Sequence, residues 1–184
     1  MRSSKPRRGV SPDSAEGPGV SAESRREATE KVLARSGVGP DAALALLEFR
    51  TRHLDAARDI AKLSGRAGVQ FPWEAAPLTG QEASPGGGDG AAHEDHGSLH
   101  TARAFGLHAD ATGDRLFLEA QAWPVLSGVA DWIVSRVTRT ERGFEFLRST
   151  GPAEVPEPPD NDDYTLMAAS EVLNRANRAA QEIG

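Results

Sequence analysis

From Pro40-Asp41 onward the apolar positions fall into helical order. Leu44, Leu47, Leu54, Ala57 and Ala61 recur near helical spacing, while Glu48, Arg52, Asp55, Arg58 and Lys62 occupy the other faces. With Asp41 as N-cap and Gly65 as the C′ stop, this pattern predicts one amphipathic helix of about six turns. A second helix is predicted over His93–Thr112, with Leu99, Ala102, Phe105 and Leu107 as its apolar positions and Gly113 ending it. A third covers Asp114–Val134 through Phe117, Leu118, Ala120, Trp123, Val125, Leu126, Val129, Trp132 and Ile133. Pro124 inside it marks a kink or a break. The period then changes: Ser135–Thr140 and Phe144–Arg148 alternate around Glu141-Arg142-Gly143, the mark of a short β-hairpin. A final helix is expected over Thr165–Ile183, burying Met167, Val172, Leu173, Ala176 and Ala180.

Residues 1–39 lack this order. They are rich in Ser, Gly, Pro and Arg without sustained apolar periodicity, and cannot offset their ordering entropy by burial. They are read as a disordered tail with at most a short helix over Glu23–Arg35, leaving residues 40–184 as the folded part. With 184 residues, 38% of them hydrophobic, the chain has material for one core. It has no cysteine, which removes disulfides, thiolate metal sites and cysteine nucleophiles from consideration. A net charge of -6 argues against a nucleic-acid partner, since neutralising phosphates needs a clustered basic face. No run reaches the length of a membrane span and residues 1–40 lack a secretory apolar segment, so a cytoplasmic location without membrane contact is the expectation.

Candidate chemistry lies in the loops. Ser149–Thr165 carries four prolines, one glycine and the acids Glu154, Glu157, Asp160, Asp162 and Asp163, a stretch that presents side chains rather than packing them. Phe71-Pro72-Trp73-Glu74 follows the first helix directly. By itself it reads as an aromatic plug at the end of a helical bundle; the competing reading is a sugar platform, with an aromatic face against C–H patches and a carboxylate on hydroxyls. His96 and His100 have the i, i+4 spacing of a metal-binding helix, but Gly97, Ser98 and Leu99 between them supply no acid and no third ligand is evident, so no metal site is assigned.

Taken in order, these stretches resemble glycoside hydrolase family 65, the inverting disaccharide phosphorylases and α-glucosidases acting on maltose, trehalose, kojibiose and related α-glucosides. The resemblance rests on Phe71-Pro72-Trp73-Glu74, Glu94-Asp95-His96, Thr112-Gly113-Asp114, Trp132-Ile133-Val134-Ser135-Arg136, Gly151-Pro152-Ala153-Glu154 and Asp160-Asn161-Asp162-Asp163-Tyr164-Thr165. It covers about Asp41 to the C-terminus.

The resemblance implies an all-α fold, part of an (α/α)6 barrel with long active-site loops and one short hairpin. It also implies that Glu154 is the general acid and that Trp73, Glu74 and His96 belong to the substrate site, with Asn161 and Tyr164 shaping the wall behind the acid. The implied ligand is an α-glucoside disaccharide. No cofactor is implied; inorganic phosphate would be co-substrate in a phosphorylase. Ala153, Val155 and Leu166 stand where the family has Asp, Tyr and Asn, so contacts around the acid differ. An inverting reaction needs an acid on one face of the sugar and activated water or phosphate on the other. The family's base, phosphate-binding loop and Lys-Gln motif are expected beyond Gly184, so the chain reads as a fragment for which another chain could complete the barrel. Competing readings are an inactive remnant or carbohydrate-binding helper, and a helical interaction domain in which the likeness is fortuitous.

Overall fold

The computed structural model describes residues 40–84, 93–153 and 157–184. The expected tail, 1–39, lies outside them. Among the described residues the helices are α1 (Pro40–Arg52), α2 (Leu54–Leu63), α3 (Asp95–Thr112), α4 (Arg115–Phe117), α5 (Trp123–Arg136) and α6 (Asp163–Ile183). One antiparallel hairpin, β1 (Thr138–Thr140) with β2 (Gly143–Glu145), separates α5 from α6, pairing Thr138 with Glu145 and Thr140 with Gly143. The architecture is helical, as the periodicity requires.

One apolar core joins these elements. Leu99, Ala102 and Phe105 of α3 meet Val125, Leu126, Val129 and Trp132 of α5 and Ala168, Val172, Ala176 and Ala179 of α6, all of them buried. The alanines matter because small side chains let helix backbones approach closely while long neighbours fill the remaining space. Ala57 and Ala61 of α2 close one side, with Val69 and Phe71 following them into the core. The passage from α2 to the Phe71 segment is tight. At Gly68 (φ 72) a Cβ would lie 2.1 Å from the Gly128 carbonyl oxygen, so the chain slides against α5 only because glycine stands there. Val69 then donates its N–H to that same oxygen at 2.9 Å.

Several expectations need correction. The first helix is two, with Asp41 inside α1 rather than capping it and a break at His53, whose φ of -108° and ψ of 22° leave the helix. The His53 ring lies at this break, with Nδ1 2.9 Å from the Phe49 carbonyl oxygen and Nε2 3.3 Å from that of Leu78 in the following loop. Gly65 (φ 68) and Gly113 (φ 64) do stop their helices in the left-handed conformation. Pro124 falls in a backbone that stays helical from α4 through α5, with Phe117, Leu118, Ala122 and Trp123 all in the right-handed helical region. It sits in the first turn of α5, and Leu118–Ala122 before it forms a π-helical turn, which accommodates the missing N–H.

The hairpin is shorter than expected. Ser135 and Arg136 remain in α5, and beyond Glu145 the chain leaves the ladder because the Phe146 and Arg148 N–H groups bond the side chains of Asn161 and Asp160. The last helix starts at Asp163, capped by Asp162, which accepts from the Thr165 N–H at 2.9 Å. Its buried face is Ala168, Ala169, Val172, Arg175, Ala176 and Ala179, whereas Met167, Leu173 and Ala180 are exposed. Ala120 and Leu107, expected as core positions, are exposed too. No helix among the described residues is long and apolar enough to cross a membrane.

Candidate active site

Two loops meet at the start of α3. The first is Phe71–Ser84. Phe71 is buried and its N–H is received by Ser98 Oγ at 3.0 Å, while that hydroxyl lies 3.4 Å from the Phe71 carbonyl. Beyond buried Pro72 the chain emerges: Trp73 is 37% exposed and Glu74 is exposed. The two readings of this cluster therefore divide between its aromatics. Phe71 is the plug, and Trp73 is presented to solvent.

What presents Trp73 and Glu74 is Glu82, a residue that no sequence pattern singled out. Its carboxylate accepts the N–H groups of Trp73 (2.9 Å), Glu74 (3.3 Å), Ala83 (3.0 Å) and Ser84 (3.0 Å), and the Ser84 hydroxyl as well. Partial burial opposes ionisation of Glu82, but the hydrogen bonds from Ser84, Trp73 and Glu74 outweigh it and hold its pKa below the ordinary carboxylate value. The Phe71–Ser84 loop is thus folded around one anion. An antiparallel bridge between Ala75 and Glu82 closes it.

The second loop follows the hairpin. Thr150 donates its N–H to the His93 carbonyl at 2.9 Å, and its own carbonyl lies 3.3 Å from His96 Nδ1. His96 is buried, and the same nitrogen lies 2.9 Å from Glu94 Oε2. Gly151 comes next, packed so closely on the α6 cap that a Cβ would lie 2.3 Å from Asp162 Oδ1. The glycine of the Gly151-Pro152 turn is therefore required by contact with Asp162. Glu154 lies outside the described residues.

A buried ion pair at the start of α3 holds the chain that leads into the second loop. Arg136, the last residue of α5, pairs with Asp95, the first of α3: Nε donates to Oδ1 at 2.9 Å and Nη2 lies 2.8 Å from Oδ2 as an ion-pair contact, with both side chains almost wholly buried. Nη2 also donates to the Leu147 (2.9 Å) and Arg148 (3.2 Å) carbonyls where the chain leaves the hairpin. Burial pushes the Asp95 carboxyl pKa up, against the opposing pull of Arg136. The sequence held both residues inside the quoted motifs, but motif membership did not disclose that they bind each other.

The remaining site residues divide. Tyr164, on the first turn of α6, places its phenol oxygen against His100 Nε2 and receives Arg103 Nη1 at 3.2 Å. The His96 and His100 rings meet edge-on at 5.4 Å and the His100 and Tyr164 rings at 5.1 Å, so His96 and Tyr164 belong to one cluster, with His100 as the link. Asn161 faces the other way. Its Oδ1 accepts the Phe146 N–H at 3.0 Å and its Nδ2 donates to Glu145 Oε1 at 2.8 Å, in a left-handed conformation (φ 58) that asparagine tolerates. It clamps the base of the acidic loop to the hairpin. Among the described residues no group of three or more His, Cys, Asp or Glu is placed to hold a metal.

Residues 35–184 match the model of the glycosyl hydrolase family 65 central catalytic domain. The chain belongs to glycosyl hydrolase family 65. Among curated proteins it is similar to a kojibiose hydrolase of Flavobacterium johnsoniae, 34% identical over 146 residues that cover 79% of this chain and 21% of the relative. A protein-glucosylgalactosylhydroxylysine glucosidase of Gallus gallus is 34% identical over 146 residues (78% and 20%), and a kojibiose phosphorylase of Escherichia coli K12 28% identical over 157 (79% and 21%). A solved structure from the human microbiome, proposed to be a kojibiose phosphorylase, superposes with a TM-score of 0.70 at 22% identity, covering 77% of this chain and 21% of that one. That likeness supports the fold, part of the family's (α/α)6 barrel. The family 65 chain spans about a fifth of the length of the curated relatives it matches.

Proposed function

We propose that the start of α3 is part of a carbohydrate site acting on α-glucosidic bonds, with Glu154 as general acid in an inverting reaction and water or phosphate as acceptor. The observation that carries this reading is the meeting of two loops on one helix start: the Phe71–Ser84 loop, which presents Trp73 and Glu74, and the Thr150-Gly151 segment, three residues before Glu154 in the sequence. Trp73 would stack on a glucosyl ring and Glu74 would accept its hydroxyls. His96 and Tyr164 would line the wall, and Asn161 would hold it. Protonation of the leaving oxygen requires a carboxyl kept neutral near neutral pH, the task assigned to Glu154.

The relatives named above include both hydrolases and phosphorylases, so the acceptor is left to experiment. The protein is incubated with kojibiose, maltose and trehalose, with and without inorganic phosphate, and glucose and β-glucose-1-phosphate are measured. Turnover that falls by about 10²–10⁴-fold in Glu154→Gln supports the acid role. Turnover unchanged by that substitution removes it.

A second reading, binding without turnover unless further family 65 catalytic-domain segments are supplied, is favoured by one observation. Leu63, Leu116 and Val134 are large apolar residues left strongly exposed on or beside helices, as faces awaiting cover would be. Sugar binding without product release in the same assay would select it.

A further inference from the structure

His100 lies one turn beyond His96 and is the member of the ring cluster with an open side. Its Nε2 meets the Tyr164 phenol oxygen. That oxygen also receives an N–H from Arg103, whose guanidinium pairs with Glu171 of α6, Nε lying 2.8 Å from Oε2. Arginine has no acceptor, so the phenol proton has one place to go among these partners, the unprotonated Nε2 of a neutral His100. Partial desolvation of the ring, followed by the neighbouring His96 and Arg103, lowers the His100 pKa, which keeps the ring neutral at neutral pH. The bond made by one ring nitrogen sets the state of the other, so the ring proton is on Nδ1. His100 is an exposed residue, and the hydrogen bond its ring makes among the described residues is at Nε2, which leaves Nδ1 to the solvent side.

We propose that Tyr164, Arg103 and Glu171 position His100 so that its Nδ1–H donates to a hydroxyl of the bound α-glucoside, making His100 a specificity-determining residue of the site. This rests on the carbohydrate reading above. The donor is directional and uncharged, so it selects for where a hydroxyl sits. A ligand lacking that hydroxyl leaves the N–H to water and gains nothing from the contact.

The test is ¹⁵N NMR of the full chain with labelled histidine and tryptophan. In the free protein His100 is expected as the Nδ1–H tautomer, and Tyr164→Phe returns it to the Nε2–H form usual for free histidine. On titration with kojibiose, maltose and trehalose, at least one sugar is expected to shift His100 Nδ1 together with the Trp73 indole. His100→Gln, whose amide reaches Tyr164 but not the Nδ1 position, is expected to weaken that sugar about tenfold, the loss of one hydrogen bond. His100→Asn, whose amide nitrogen mimics Nδ1, is expected to recover part of the loss. An Nε2–H tautomer in the free protein overturns the inference. A sugar that shifts Trp73 but not His100 also overturns it while the carbohydrate reading stands. No shift at either residue with any of the sugars overturns both.

Discussion

Two buried arginines sit at opposite ends of α3, and they are not equivalent. Arg136 binds the first residue of the helix, Asp95, whose side chain is 1% exposed, and spends its remaining donor capacity on two carbonyls of the chain leaving the hairpin. Arg175 crosses the other end, where a Cβ on Gly106 would come within 2.9 Å of its Cγ, and binds Asp110 at 2.9 Å and Glu182 at 3.5 Å, both substantially exposed. Arg175 Nε has no hydrogen-bond partner among the described residues. One arginine holds the chain leaving the hairpin to a helix; the other holds helix to helix. A cleft of about 430 Å³ opens beside Arg175, lined also by Asp110, Asp114, Arg115 and Glu182, but its charges largely answer one another. The more deeply buried arrangement at Arg136 is the one that lies at the candidate site.

The largest expected effect tests that difference. Arg136→Met leaves Asp95 buried without its partner and is expected to cost about 3–5 kcal/mol in urea unfolding. The loss should shrink in acid. Without Arg136 the folded-state pKa of Asp95 rises further above its unfolded value, so stability gained by protonation is fully present below the unfolded pKa and disappears as pH rises through the folded one. Asp95→Asn combined with Arg136→Met should recover part of the deficit at neutral pH. Arg175→Met removes contacts to half-exposed partners together with an unmet donor, and about 1 kcal/mol is expected. Equal losses for the two arginines would break the comparison.

Between these extremes lies Glu82→Ala, which strips an anion from the amides it organises and is expected to cost about 1–3 kcal/mol, with changed Trp73 fluorescence. In the wild type the same loop gives a pH signature. The Glu82 pKa is lowered on folding, so its contribution is present above the ordinary carboxylate pKa and is lost as pH falls through the folded value. Trp73 fluorescence should therefore change on acidification in the wild type and not in Glu82→Ala. The smallest effect sharpens the helix-to-helix side of the comparison. Gly106→Ala presses on the flexible Arg175 stem but gains helix propensity, so a net change within about 0.5 kcal/mol is expected, read as a small shift in Tm.

Much of the fold was legible because it depends on periodicity. The α3, α5 and α6 segments and the glycine stops at Gly65 and Gly113 follow from spacing and local conformation. What local spacing does not carry depends on single long-range contacts. At the break of the first helix the His53 ring reaches a carbonyl 25 residues away, and nothing in the local pattern carries that. The α6 face was displaced because Arg175, a charged residue, occupies a buried position that a hydrophobic stripe assigns to an apolar one. The site shows the same division. Trp73, Glu74, His96, Asn161 and Tyr164 are candidates that the resemblance to the family singles out. Glu82, Asp95, Arg103 and Arg136, which hold or link them, act through partners between 8 and 68 residues distant.

The most direct test of the central claim, that the start of α3 presents a carbohydrate site, is tryptophan fluorescence during titration with α-glucosides. Trp132 is fully buried and Trp123 partly buried, which leaves Trp73 as the exposed indole able to stack on a sugar. A saturable change with kojibiose, maltose or trehalose that vanishes in Trp73→Phe is the predicted result. A saturable change that persists unaltered in Trp73→Phe, or none with any of these sugars in the wild type, would contradict the account.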